Sequence, residues 1–204
     1  MKIHFHKYQA TGNDFVVIDN RTGGYSFSKE QIESETLTSA ENLLGSMEDI
    51  LLWSKGQMEN FKPKFENVLI SKIFNDNQKH FSSESETSIL FENPENLKIY
   101  TDENYLKTII RNLTGNAIKA LAKTKNPIII WKAWQENGNN YLSVQDNGPG
   151  AHLEQFKALY DEKEVVGIQS GLGLHLIRDL AKAINCEILV DSKENIGTTF
   201  TLKL

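Results

Sequence analysis

Three short stretches of this sequence hold residue types that could do chemistry together. The first is Asn112-Leu113-Thr114-Gly115-Asn116-Ala117-Ile118-Lys119. On a helix advancing roughly 100° per residue from Asn112, the side chains of Leu106, Ile110, Leu113, Ala117 and Leu121 fall between roughly 100° and 180°, while Asn116 lies near roughly 40° and Lys119 near roughly −20°. One face is therefore core, and the other lines up two amides and an ammonium. Most such polar faces are simply solvated. Against that reading, Asn is a mediocre helix former and Gly115 in the interior costs about 1 kcal/mol relative to Ala. The stretch gives up stability that a plain surface helix would keep.

The second stretch is Tyr141-Leu142-Ser143-Val144-Gln145-Asp146, followed by Asn147-Gly148-Pro149-Gly150. Strand alternation puts Asp146 on the face of Leu142 and Val144, where a carboxylate is costly unless it has a partner. A turn-initiating Asp bonding its own backbone accounts for it equally well. The third is Ser170-Gly171-Leu172-Gly173-Leu174, a glycine-rich entry into a helix. Free N–H groups and the positive end of the helix dipole bind phosphate at such a place, although a bare Gly-x-Gly is also an ordinary loop-to-helix junction.

These stretches need elements to hold them. Asp102 caps a helix running to about Ala122, with Glu103 in its first turn. Ile128 to Trp134 and Tyr141 to Asp146 form a hairpin across residues 136–140. A short helix follows near Leu153 to Tyr160, then a polar stretch to Ser170 and a helix from Leu172 to Ile184. Strands Cys186 to Asp191 and Thr198 to Leu204 close the chain. Upstream, a helix is expected from near Phe65 and an extended segment from Lys79 to Phe91. Strands that pair locally between helices predict an α+β fold, a two-layer sandwich with helices on one face of a mixed sheet.

The 204 residues, with Lys+Arg 22 against Asp+Glu 27 and net charge −5, fit one ordinary domain plus extra length. There is no basic field to neutralise a phosphate backbone, so electrostatically driven nucleic-acid binding is disfavoured. The strongest apolar run, Ile128-Ile129-Ile130-Trp131, is far short of the about 20 residues a membrane span needs, and the opening has no signal-peptide core. A cytoplasmic location and no membrane insertion by this chain are expected. Cys186 is the only cysteine, which excludes an intramolecular disulfide and a multi-cysteine zinc site.

Residues 33–60 differ in character: Leu37, Ala40, Leu44, Met47, Leu51, Ser54 and Met58 recur at alternating spacings of three and four, a seam with a period of about 3.5 residues. Leu43, Ile50 and Trp53 widen the stripe. Such a helix needs a partner, and no second heptad run exists in the chain.

In this order, Asn112 to Lys119, Asp146 to Gly150, Gly171 to Leu174 and Gly197-Thr198-Thr199-Phe200 resemble the catalytic ATP-binding domain of sensor histidine kinases, over residues 61–204. The resemblance implies the sandwich shared with gyrases, heat-shock chaperones and mismatch-repair ATPases, with ATP and Mg²⁺ as cofactors. By position, Asn116 would give its amide oxygen to Mg²⁺, and Asn112 and Lys119 would face metal and phosphates. Asp146 would accept from the adenine amine, helped by a water held by Thr198. Gly148 and Gly150 would let the chain turn close to the nucleotide. Gly171, Leu172 and Gly173 would open the phosphate-facing helix, and Glu154 to Ser170 would include a lid.

Asn112 stands where the hydrolytic relatives carry a Glu base, and an amide takes no proton at neutral pH. Histidine kinases manage without one, because a neutral imidazole already offers a lone pair, leaving catalysis to positioning and charge neutralisation. This chain departs from the family at Ala120, usually aromatic, and at Gln169, usually glycine, and ATP binding with weaker affinity or a stiffer lid is expected. The seam helix is similar to the second helix of the kinases' dimerisation and phosphoacceptor hairpin, which implies a homodimer through residues 37–58. The first helix, with the acceptor histidine, is missing from the pattern. None of His4, His6, His80, His152 and His175 is followed by Asp or Glu or lies on a heptad helix.

Residues 1–32 instead resemble the opening hairpin of diaminopimelate epimerase, through Lys2 to Tyr8 and Thr11 to Asp19. That family racemises with two cysteines, so the single Cys186 excludes the activity. The expected organisation is an epimerase-like hairpin at 1–32, a dimerisation helix at 33–60 and the catalytic domain at 61–204. The expected function is transfer of the ATP γ-phosphoryl group to a histidine supplied elsewhere, with the phosphoacceptor helix and a response regulator as partners. The alternatives are a hydrolytic ATPase of the same fold and a dimerising scaffold with a vestigial nucleotide site.

Overall fold

A computed structural model describes residues 5–10, 13–18, 28–29, 37, 47, 51, 62–81, 87–92, 96–161 and 173–204. They divide between two compact units, Met1–Ile50 and Leu51–Leu204.

In the first unit β1 (Phe5–Ala10) pairs antiparallel with β2 (Asn13–Ile18), Tyr8 opposite Phe15 and Ala10 opposite Asn13, which is the extended pair expected from alternation and turn chemistry. Of the seam positions, Leu37, Met47 and Leu51 are helical and 61%, 54% and 58% exposed. Ala40, Leu44, Ser54 and Met58 lie outside the described residues.

The second unit holds β3 (Glu66–Leu69), α1 (Ile70–Phe81), β4 (Ser88–Glu92), β5 (Lys98–Thr101), α2 (Glu103–Leu121), β6 (Ile128–Glu136) and β7 (Asn139–Asp146). A 3₁₀ helix, η1 (Leu153–Leu159), α3 (Gly173–Ala183), β8 (Glu187–Lys193) and β9 (Gly197–Lys203) complete it. The main sheet has the order β4-β6-β7-β9-β8, parallel only between β4 and β6. Ile129, Trp131, Ala133, Leu142, Val144 and Phe200 are buried on one face of this sheet, while the intervening Lys132 and Gln145 are exposed. The apolar stripes of the helices cover the buried face, giving the two-layer sandwich that the pattern predicts.

Helix α2 forms as its sequence requires. Asp102 accepts the Tyr105 N–H on Oδ1 at 3.0 Å and the Lys64 N–H on Oδ2 at 2.7 Å, so one carboxylate caps the helix and fixes the incoming chain. Leu106, Ile110, Leu113, Ala117 and Leu121, the stripe expected to be core, are all buried.

Two upstream expectations fail. The helix expected from Phe65 begins at Ile70, because Glu66–Leu69 pairs with β5, Val68 opposite Ile99. The extended segment expected from Lys79 is helical through Phe81, since Ile70, Ile73, Phe74, Asn77 and Phe81 make one buried helical face. Its strand begins only at Ser88, and residues 82–86 lie outside the described set. The β6–β7 hairpin is longer than expected, turning on Asn137 (φ 50°) and Gly138 (φ 79°), the positive-φ pair of a two-residue turn.

A buried polar triad ties α1, α2 and β6 together. Thr114 Oγ1 accepts from Asn77 Nδ2 at 2.9 Å and from Trp131 Nε1 at 3.1 Å, and donates to the Ile110 carbonyl at 2.8 Å. Replacing Thr114 with the near-isosteric Val strands two buried donors. Thr114→Val is expected to cost about 2–4 kcal/mol, read as a lower urea midpoint at unchanged slope. An unchanged midpoint would mean the donors find other acceptors.

Candidate functional site

The site is built along α2. Asn112 and Asn116 are half-buried and Lys119 is exposed, all on the side away from the core stripe. Asn112 Nδ2 donates to the Thr108 carbonyl one turn back at 3.0 Å, which turns Oδ1 outward. A Cβ added at Gly173, the first residue of α3, would meet that Oδ1 at 3.2 Å. The helix start expected to face phosphate therefore abuts the first amide of α2. Among the described residues, no hydrogen bond or ion pair engages the side chains of Asn116 or Lys119. Gly171, Leu172, Gln169 and His4 lie outside the described residues.

At the other end of α2 the chain after β7 folds back. A Cβ on Gly148 would meet Asp146 Oδ1 at 2.7 Å, Leu121 Cδ2 at 3.6 Å and Ala120 Cβ at 3.8 Å. Asp146 is 5% exposed, on the face of Leu142 and Val144. Its Oδ1 accepts the Gly148 N–H at 2.8 Å and the Thr198 N–H at 3.4 Å, leaving Oδ2 as the acceptor for anything that enters. Burial pushes the Asp146 carboxyl above its ordinary pKa, and the two N–H donors pull it partly back. Asp146 thus bonds local backbone, as a turn Asp does, and also keeps an unused oxygen.

Asn147 and Ser192, for which no role is expected from the sequence, hold this end in place. Asn147 Oδ1 accepts the Ile128 N–H at 2.8 Å and its Nδ2 donates to the Asn126 carbonyl at 3.0 Å, pinning the turn to the start of β6. Ser192 Oγ accepts the Ala151 N–H at 2.9 Å and lies 2.9 Å from Thr198 Oγ1. Thr198 therefore gives its N–H to Asp146 and shares its hydroxyl with Ser192. Gly150 (φ 68°) is required for a reason other than ligand approach: a Cβ there would fall 2.1 Å from the Lys193 carbonyl oxygen. For Asn147 the available signal was its place beside a candidate carboxylate, but a side-chain bond to the backbone of Ala151, 41 residues away, leaves no local mark on Ser192.

The stretch expected to be a lid begins as anchored structure. Ala158 and Leu159 of η1 are 2% and 6% exposed, and Phe156 meets Phe200 edge-on at 5.4 Å. Residues 162–170 lie outside the described set. His80 lies in the last turn of α1 edge-on to Phe81, His152 lies 3.3 Å from Glu194, and His175 on α3 is buried. Cys186 is buried, its thiol pushed up to about 12, an inert state.

Eight residues of α2 separate Asn112 from Ala120, a rise of about 12 Å. Along that length the Asp146 carboxylate and its turn lie by the Ala120 end, next to Lys119, the start of α3 lies by Asn112 at the other end, and Asn116 sits between them. Among the described residues no group of three His, Cys, Asp or Glu is placed to hold a metal. A hard cation would rely on the unengaged Asn116 amide oxygen together with phosphate oxygens and water, the donor set Mg²⁺ takes.

Residues 101–204 match the family described as histidine kinase-, DNA gyrase B-, and HSP90-like ATPase. Sensor protein RprX of Bacteroides fragilis is 30% identical over 115 residues, covering 52% of this chain and 22% of that protein. Sensor histidine kinase YvrG of Bacillus subtilis is 28% identical over 169 residues, 79% of this chain and 28% of that protein. The chain thus spans about a quarter of the length of these two relatives. Full-length ShkA in complex with AMPPNP shares the fold at TM-score 0.64 and 22% identity, covering 88% of this chain and 39% of that one.

Proposed function

Because this chain belongs to the histidine kinase-, DNA gyrase B-, and HSP90-like ATPase family, we propose that its second unit binds Mg-ATP along α2 and presents the γ-phosphoryl group to a histidine on another helix. The observation that carries this reading is an acceptor at Asp146, whose turn abuts Ala120 of α2, together with a helix start seated on Asn112 at the other end of the same helix, Asn112 and Ala120 being about 12 Å apart along it. Asp146 Oδ2 would take the adenine amine, and Lys119 and the N–H groups at the start of α3, together with those of Gly171 and Leu172 before it, would take phosphate oxygens. Asn116 would hold Mg²⁺, whose contribution is to neutralise charge on the phosphates. Asn112 takes no proton, which suits an imidazole acceptor and not water.

The supporting organisation is a catalytic domain at 61–204, entered through a dimerisation helix at 33–60. The exposure of Leu37, Met47 and Leu51 supports self-association through that helix. The acceptor histidine would come from another chain or segment, and a response regulator would receive the phosphoryl group. We read residues 1–32 as an epimerase-like hairpin in which β1 and β2 keep the hairpin shape without the chemistry. Among the described residues no helix is long and apolar enough to cross a membrane.

Calorimetric titration with AMPPNP tests the reading. Saturable binding that requires Mg²⁺ is expected, and Asn116→Ala is expected to remove the Mg²⁺ dependence while weakening affinity about tenfold. Binding that is identical with and without Mg²⁺ in the native chain would count against Asn116 as the metal ligand.

A further inference from the structure

Arg178 lies on α3, five residues beyond the helix start at Gly173, with its side chain 18% exposed. Its Nη1 donates to two carbonyl oxygens, Ala158 at 3.2 Å and Asp161 at 3.0 Å, while Nε donates to Asp179 Oδ1 at 2.9 Å. The Ala158 carbonyl belongs to the last turn of η1, and that of Asp161 lies two residues beyond its end. A planar guanidinium serves several acceptors from one rigid group, which a single ammonium does not.

The two elements it joins serve opposite ends of the site. The start of α3 is seated on Asn112. By contrast η1 is keyed to the sheet, Ala158 and Leu159 in the core and Phe156 edge-on to Phe200, two residues beyond Thr198 on β9. Sliding α3 along its axis would move Gly173 away from Asn112 while leaving Asp146 and Thr198 where they are. The bonds from Arg178 oppose this slide from the η1 side, in addition to the apolar packing of η1 and α3 in the core.

We infer that Arg178 is a positioning residue that fixes the distance between the phosphate-facing start of α3 and the base-facing end of the site. It touches no nucleotide itself. This inference rests on the nucleotide-site reading above. It concerns how the triphosphate end is held in register with the adenine end, and so it concerns affinity for a full triphosphate.

The test compares Arg178→Met and Arg178→Lys with the native chain and with Ile99→Ala, a core truncation on β5 that lowers stability without touching the site. AMPPNP with Mg²⁺ and ADP with Mg²⁺ are titrated into each, and amide exchange is followed at Tyr160 and Asp161, which donate to the Lys157 carbonyl. Arg178→Met is expected to speed that exchange and to weaken AMPPNP binding about tenfold, with Arg178→Lys losing about threefold. ADP binding should change less, because the γ-phosphate end carries the loss. Ile99→Ala should lower the melting temperature and leave both affinities intact. Equal loss in Ile99→Ala, equal loss for ADP, or a native AMPPNP affinity in Arg178→Met would each overturn the inference. A native chain that binds no AMPPNP would instead overturn the nucleotide reading on which it depends.

Discussion

Asp146→Asn is expected to weaken adenine-nucleotide binding about 100-fold while leaving the melting temperature of the nucleotide-free chain unchanged or raised. The binding loss follows from which oxygen is already committed. The Gly148 and Thr198 N–H groups both hold Oδ1, so an asparagine would keep its oxygen there and turn its NH₂ toward the incoming adenine amine. A donor would then face a donor. The stability effect has the opposite sign, because burial raises the Asp146 pKa above its ordinary 3.8. The folded chain binds that proton more tightly than the unfolded chain does, so stability falls as pH rises from 3.8 through the folded value. Removing the carboxyl removes this loss at neutral pH. Affinity runs the other way: the native chain should lose adenine nucleotide as pH falls through the raised Asp146 value, and Asp146→Asn should lose that component. Calorimetric titration and thermal melts on the two proteins read both signs. Unchanged affinity in the variant would remove Asp146 from the base site, and a large drop in melting temperature would show that the carboxylate serves the fold.

Helix α2 was legible because local rules decide it. An Asp at the cap, an apolar stripe at helical spacing and polar residues opposite it lead to one structure, and the buried set matches that stripe. The β6–β7 hairpin was legible for the same reason, with Asn137-Gly138 supplying the positive φ pair. What local rules could not reach is long-range pairing. Glu66–Leu69 becomes a strand only because Lys98–Thr101 lies beside it, although Lys98, Ile99, Tyr100 and Thr101 alternate exposed and buried and could have been read. The candidate site divides in the same way. Asn112, Asn116, Lys119 and Asp146 announce themselves by residue type and spacing. Ser192 and Arg178 act on groups 41 and up to 20 residues away, and nothing in their own neighbourhoods marks them.

The glycine of the β8–β9 turn shows how closely fold and site are joined. Gly197→Ala is expected to destabilise the chain by about 3–5 kcal/mol. Gly197 has φ 130°, and a Cβ there would fall 1.9 Å from the Asp146 carbonyl oxygen and 2.9 Å from its carbon. These are backbone atoms and cannot rotate aside, so either β7 or the turn must move. The next residue, Thr198, gives its N–H to Asp146 Oδ1, and the displacement therefore reaches the carboxylate as well as the sheet. Gly138→Ala supplies the control: it has φ 79° and nothing within 4 Å of an added Cβ. It should cost only the about 1–2 kcal/mol of a left-handed alanine and leave AMPPNP affinity intact. Urea midpoints of the two variants separate the terms. If they cost the same, backbone conformation alone requires the glycine at 197. If Gly197→Ala costs more and the folded protein also binds AMPPNP more weakly, the requirement comes from contact with Asp146.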